Sequence, residues 1–200
     1  VGNSYTAFFV ETFVDELAVA LKKDPYLFRL ELLKDQPRFA KVVDAAASAA
    51  QWSSSLPKGW GRGIALAESF KSIVCQVVDV EVVGKDIRVR RVVSAVDCGT
   101  ALHPENVKAQ IASAAIYGLT AALKGNITLK EGVVEQSNFN NYGLMSMVEC
   151  PQFETVIINS GAALGGIGEV GVPPIAPALG NAIHAATGKR LSSLPFTFAT

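Results

Sequence analysis

The hydrophobic period of this chain changes once, near Gly63, and that change limits what it can fold into. Before it, apolar side chains recur every three or four residues; after it they alternate, as on a strand. Phe9, Phe13, Leu17 and Ala20/Leu21 mark the stripe of a first helix, with Ser4 as candidate N-cap and Asp15 and Glu16 turned outward. Asp24-Pro25 then starts a second helix, since proline suits the first helical position. Its expected stripe is Tyr26, Leu27, Leu30 and Leu33. Gln36-Pro37 opens a third, with Phe39, Val42, Val43 and Ala46 on one face. Residues 53–63 (SSSLPKGWGRG) read as a linker.

Beyond the linker, Val78, Val80 and Val82 alternate with Asp79 and Glu81. Gly84-Lys85-Asp86 turns that strand into a second one, Ile87 to Val96. A helix is expected from Pro104 to about Leu123, striped by Val107, Ile111, Ala115, Leu119 and Ala122. A small hairpin turning at Glu131-Gly132 and a strand from Phe153 to Ile158 follow. A glycine-rich stretch, residues 161–171, leads to a last helix from Ile175 to Thr187, stopped at Gly188. The fold class is therefore α+β: a helical segment over 1–52, then antiparallel hairpins with interspersed helices over 63–200.

Half of the residues are hydrophobic and 18% are charged, which suits a chain with a sizeable core. The 18 basic and 18 acidic residues cancel without forming blocks, so no nucleic-acid partner is expected. Cys75, Cys98 and Cys150 stand far apart and make neither a zinc nor an iron–sulfur pattern. No apolar run is long enough to span a membrane and no signal peptide is visible. The expectation is a soluble chain of a bacterial cytoplasm or periplasm, the compartment left open. A start at Val1 without methionine suggests a fragment or processed subunit.

The chemistry concentrates in Gly165-Gly166-Ile167-Gly168-Glu169-Val170-Gly171-Val172-Pro173-Pro174. Gly166, Gly168 and Gly171 satisfy GxGxxG, yet no βαβ unit or following acidic residue completes a dinucleotide fingerprint. Thr187-Gly188-Lys189 resembles a phosphate loop but follows a helix instead of opening one. Glu169 is the more informative residue. Flanking glycines allow a close backbone approach. Ile167 and Val170 make its surroundings apolar, which raises a carboxylate pKa, while a helix start lowers it. A carboxylate set between those effects suits a general base. The bland alternative is a solvated loop carboxylate.

The stretch from Gly165 to Ile183, with Ala186–Arg190 and Leu194-Pro195, resembles the C-terminal signature of molybdenum-binding subunits of the xanthine oxidase/aldehyde oxidase family, isoquinoline 1-oxidoreductase β-subunit type. Val96-Asp97-Cys98-Gly99 through Gln110-Ile111, Gln136 to Tyr142, and Phe9 to Leu17 are similar to three further blocks. The resemblance implies a molybdopterin-binding fold and Glu169 as catalytic base, removing a proton from a water-derived ligand of the metal. It implies that Gln110 contacts the molybdopterin, with Gly166 and Gly168 beside it. Phe139 and Tyr142 are weaker candidates for the substrate pocket. No side chain of the chain is expected to ligate metal: Asp97 reads as a structural acceptor, Cys98 as a packed thiol, and His103 and His184 as capping or packing residues.

The chain departs from the family at His103-Pro104, where Asn-Pro is usual, at Ser113, where Gly follows the Gln, and at Ala163-Leu164. The resemblance further implies missing partners. They are the N-terminal half of the molybdenum subunit, sharing the cofactor, and an iron–sulfur subunit holding the clusters. The expected product is half of a site that oxidises an N-heterocycle or aldehyde, inactive and prone to self-association when alone. The alternative is a non-catalytic scaffold or assembly fragment that keeps the fold without cofactor.

Overall fold

The computed structural model describes residues 2–198. Three helices come first: α1 (Gly2–Ala20), α2 (Pro25–Leu32) and α3 (Pro37–Ala49). Strands β1 (Trp60–Ser69), β2 (Ser72–Val83) and β3 (Asp86–Asp97) form an antiparallel meander. Helix α4 (Pro104–Leu123) leads to the two-residue strands β4 (Leu129–Lys130) and β5 (Val133–Val134). Strand β6 (Gln152–Ile157) and helix α5 (Ile175–Thr187) complete the order. The main sheet runs β1-β2-β3-β6.

The alternation along β2 makes a three-layer core. Ile73, Cys75 and Val77 face α3, where Val42, Val43 and Ala46 are fully buried. Val74, Val78 and Val80 face the opposite way, onto α4 and α5. Every member of the expected α4 stripe, Val107 through Ala122, is buried. Asp24 caps α2 through bonds from the N–H groups of Tyr26 and Leu27, and His103 Nδ1 accepts from Asn106 N at the start of α4. Gly188, at φ 71°, ends α5 in the left-handed region.

Four expectations need correction. Strand β1 begins at Trp60, inside the supposed linker, because its edge pairs residue by residue with β2. Strand β6 pairs parallel to β3, since the connection through α4 returns the chain to the same end of the sheet. Ser4 lies within α1, which already begins at Gly2. Finally, α1 is turned over. Phe9, Phe13 and Leu21 are exposed, as is Leu27 of α2, while Glu11 and Asp15 are buried.

Charge pairing explains the inverted helix. Arg29, itself buried, donates from Nε to Glu11 Oε2 at 2.9 Å and from Nη2 to the Glu11 carbonyl at 3.0 Å. Glu11 Oε2 also accepts from Leu66 N at 2.9 Å, tying α1 to β1. Asp15 lies 3.8 Å from Arg29 Nη1 and accepts from Arg190 Nη2 at 2.9 Å. Buried charges persist only where they are paired and hydrogen-bonded, and here they are. An apolar ridge of Tyr5, Phe9, Phe13 and Leu21 is left on the outside.

Candidate functional site

The glycine-rich stretch runs as a strap across one end of the sheet. At its start Ser160 Oγ donates to Asp97 Oδ1 at 2.8 Å, and Gly161 N donates to Gly99 O at 3.2 Å. Gly165 N reaches Cys98 O at 3.0 Å and Gly166 N reaches Phe70 O at 2.8 Å. Ser72 Oγ donates in return to Gly166 O at 2.6 Å. At the far end, Val170 packs with Val107 and Ile111 of α4. The strap is pinned on both sides of Glu169.

This pinning revises the role of the glycines. A Cβ on Gly165 would collide with Ser72 Oγ, and one on Gly166 would stand 3.0 Å from Phe70 Cβ. Their smallness therefore serves the turn between β1 and β2, where Phe70 and Lys71 both hold positive φ, 54° and 66°. A left-handed pair without glycine is strained and persists only where neighbours hold it. The strap holds it here, with Arg38 Nη2 donating to Lys71 O at 3.3 Å. Gly168 differs from Gly166: a Cβ there would meet nothing within 4 Å.

Glu169 is exposed at the crest of the strap, and its carbonyl accepts from Val172 N at 2.9 Å to close a turn. Gln110 is half-buried on α4, next to Ile111. Gly171, two residues after Glu169, lies against the same turn of α4: a Cβ on it would be 3.1 Å from Ala114 Cβ and 3.2 Å from Ile111 O. Glu169 and Gln110 are thus each the chain neighbour of a member of one small apolar cluster, Val170 and Ile111. The fold does not bring Phe139 or Tyr142 there. The Tyr142 hydroxyl sits beside Gly125, past the C-terminal end of α4, and Phe139 is exposed. At 1.5 Å per residue, the helix from Gln110 to that end is roughly 20 Å long.

Asp97 anchors the strap. Its carboxylate accepts from Arg38 Nε at 2.7 Å, Gly99 N at 2.8 Å and Ser160 Oγ. Burial pushes its pKa up, but these three hydrogen bonds outweigh burial and hold it below the usual value. A carboxyl depressed in the fold contributes stability that is complete above its unfolded pKa and is lost as pH falls through the lower folded value. Acid titration of thermal stability should therefore show a limb that Asp97→Asn flattens. An unchanged limb in that variant would remove Asp97 as its source. Cys98 is buried beside it, and burial raises its thiol pKa, which keeps it unreactive.

Two features escaped sequence reading. Gln76, on β2, is fully buried, with neither amide atom hydrogen-bonded among the described residues. A groove of about 1030 Å³ opens elsewhere, lined by Trp60, Arg90, Lys124, Met145 and Phe196, and holds none of the candidate residues. Its cations are largely spoken for: Arg90 pairs with Glu81, Arg91 with Glu154 and Lys124 with Glu149. No helix among the described residues is long and apolar enough to cross a membrane.

Comparison with known proteins bears on this arrangement. The molybdopterin cofactor-binding domain family matches residues 18–151. The chain is 34% identical to the beta chain of isoquinoline 1-oxidoreductase from Brevundimonas diminuta, over 98% of this chain and 26% of the relative. It is 32% identical to a nicotinate dehydrogenase subunit of Pseudomonas putida, over 94% of this chain and 17% of that one. It thus spans about a quarter, or less, of the length of these relatives. The solved aldehyde oxidoreductase from Desulfovibrio gigas shares the fold, with a TM-score of 0.73 and 12% identity over 97% of this chain and 40% of that one. Matching elements, core and relatives agree, and the chain belongs to the molybdopterin cofactor-binding domain family of molybdenum hydroxylase subunits.

Proposed function

We propose that this chain is the C-terminal part of a molybdopterin-binding domain and supplies the general base and part of the cofactor cradle of a molybdenum hydroxylase. One observation carries the reading. Glu169 stands exposed on a strap pinned on both sides, with open space at Gly168 and the Gln110 helix turn across a shared apolar cluster. These groups fit a flat polar cofactor. The space beside Gly168 admits it, and the Gln110 amide offers two donors and an acceptor to it. Gly166 supports the cradle from below, its N–H and carbonyl being committed to Phe70 and Ser72.

When bound, the cofactor supplies a metal that acidifies a water-derived oxygen and accepts the electrons of the oxidation. Glu169 would serve as the proton acceptor for that chemistry, and the pinned strap would hold its carboxylate in place. The substrate is an N-heterocycle or an aldehyde; isoquinoline and nicotinate, in the relatives' names, belong to the first class.

The remaining polypeptide of the molybdenum subunit completes the cradle, and an iron–sulfur subunit carries the electrons away. The α1 ridge of Tyr5, Phe9 and Phe13 offers that polypeptide an apolar seat, and in the chain alone it favours self-association.

The cradle is tested at Gln110 in the complete enzyme. A half-exposed helix position tolerates alanine by propensity. Loss of a hydrogen bond that leaves a buried partner unsatisfied costs roughly 1–3 kcal/mol. Gln110→Ala should thus retain the cofactor about 5- to 150-fold more weakly while the unfolding temperature barely moves. Elemental analysis for molybdenum alongside thermal unfolding gives both numbers. Full molybdenum and normal turnover would make Gln110 an ordinary helix residue.

A further inference from the structure

The strand β2 breaks its own pattern at one position. Val74, Val78 and Val80 pack beneath α4 and α5, and the residue between them on the same face, Gln76, is an amide. It has no solvent exposure, and both Nε2 and Oε1 lack a hydrogen-bond partner among the described residues. A valine or leucine would fill that position without leaving an unpaired polar group, so the amide is a cost to the fold. Rule-breaking positions of this kind mark function more often than packing.

Its location says what it serves. A Cβ on Gly171 would stand 3.5 Å from Gln76 Nε2, so the amide lies directly under the backbone of the turn that Glu169 and Val172 close. Gly171 contributes no side chain between that backbone and the amide. Ala114 and the Ile111 carbonyl of α4 bound the same spot at 3.1 and 3.2 Å from that Cβ position. The amide is thus enclosed by β2, α4 and the strap, and the strap is the member that belongs to the candidate site.

We propose that Gln76 is a positioning residue for Glu169: in the assembled enzyme its amide takes the backbone of the 169–172 turn as hydrogen-bond partner and fixes the position of the turn that carries the carboxylate. The inference rests on the reading of Glu169 as base. Gln76 touches neither substrate nor cofactor; it acts through Gly171. A settling of the turn toward β2 by a fraction of an ångström pairs an amide that otherwise stays unpaired. Positional errors of that size are what general-base catalysis punishes most.

The test uses the complete, molybdenum-loaded enzyme and the variants Gln76→Met and Gly171→Ala. Methionine keeps the unbranched shape and removes both polar atoms. Alanine keeps Gln76 but puts a methyl group between it and the turn. Amide hydrogen exchange of residues 169–172 is measured together with molybdenum content, kcat and KM. Each variant should keep its molybdenum and KM, exchange the Gly171 and Val172 amides about tenfold faster, and lose about tenfold in kcat.

Exchange and kcat at the unmodified level in both variants would overturn the proposal, as would a water molecule found bridging Gln76 in the loaded enzyme. So would loss of molybdenum in step with kcat, which marks a structural role. Should Gln76→Met fail to fold, Gly171→Ala decides alone. Exchange reads the turn and not turnover, so a failure of the base reading, seen as full activity in Glu169→Gln, would be distinguishable from a failure here.

Discussion

In the complete enzyme, Glu169→Gln should lower kcat by about 10²–10⁴-fold while molybdenum content and folding survive. The glutamine keeps the length and most of the hydrogen-bonding of the side chain but cannot accept a proton. Glu169 is exposed, with no side-chain hydrogen bond or ion pair among the described residues, so the exchange leaves no buried partner unsatisfied. The loss should fall equally on kcat and kcat/KM, because the interaction matters only as the proton moves. Glu169→Asp withdraws the carboxylate by one methylene and should give an intermediate rate. Steady-state kinetics with elemental analysis on the same preparations check the point. Near-normal turnover with full cofactor would reduce Glu169 to a loop carboxylate and place the proton acceptor elsewhere.

Arg29→Met should cost about 3–5 kcal/mol of folding stability, since it strands carboxylates in the interior. Arg29 is buried and bonds Glu11 at 2.9 Å, while Asp15 lies 3.8 Å from it. Arg190 still covers Asp15 after the change, but Glu11 keeps only the Leu66 N–H and loses its cation. For a chain of this size the unfolding temperature should drop by about 6–20 °C. Removing the second charge should return much of that loss, so Glu11→Leu combined with Arg29→Met should be more stable than Arg29→Met alone. Thermal unfolding of the two variants settles the sign. Equal or lower stability of the double variant would mean that the pair contributes net stability instead of guarding against a stranded charge.

The same charges explain what could and could not be read from the residues in order. Helix α4 was legible to its ends because Val107, Ile111, Ala115, Leu119 and Ala122 form one unbroken stripe and the other side is mostly polar or small. Helix α1 offers apolar residues on both sides. The side that turns inward is chosen by Arg29 and Arg190, 18 residues from Glu11 and 175 residues from Asp15 respectively. Periodicity contains no information at that range. Strand β1 was missed for a related reason: Trp60–Gly63 looks like loop until the β2 edge supplies its partners.

The site divides in the same way. Glu169 stood out because a carboxylate among glycines is locally unusual, whereas Gln110 stood out only through the family resemblance. That both border the cluster of Val107, Ile111 and Val170 follows only from the fold. Gly166 was legible as a close approach, but the approach proves to be to Phe70, a neighbour 96 positions earlier. Tyr142 and Phe139 share a block with no spatial tie to the strap. Gln76 carried one signal, a polar residue in a run of valines. Its significance needed the third dimension, because only burial turns an amide into an unpaired one.

The bond between Asp15 and Arg190 also sets a clock. Synthesis proceeds from the N-terminus at about 5–20 residues per second, so some 10–35 s separate the making of Asp15 from that of the residue 175 positions later that neutralises it. Throughout that interval Glu11 can find Arg29, which follows almost at once, but Asp15 has only its longer 3.8 Å contact with the same guanidinium. The helix must therefore wait, incompletely seated, until nearly the whole of this segment has left the ribosome. A ribosome stalled before the Arg190 codon would leave α1 without that partner and more open to proteolysis.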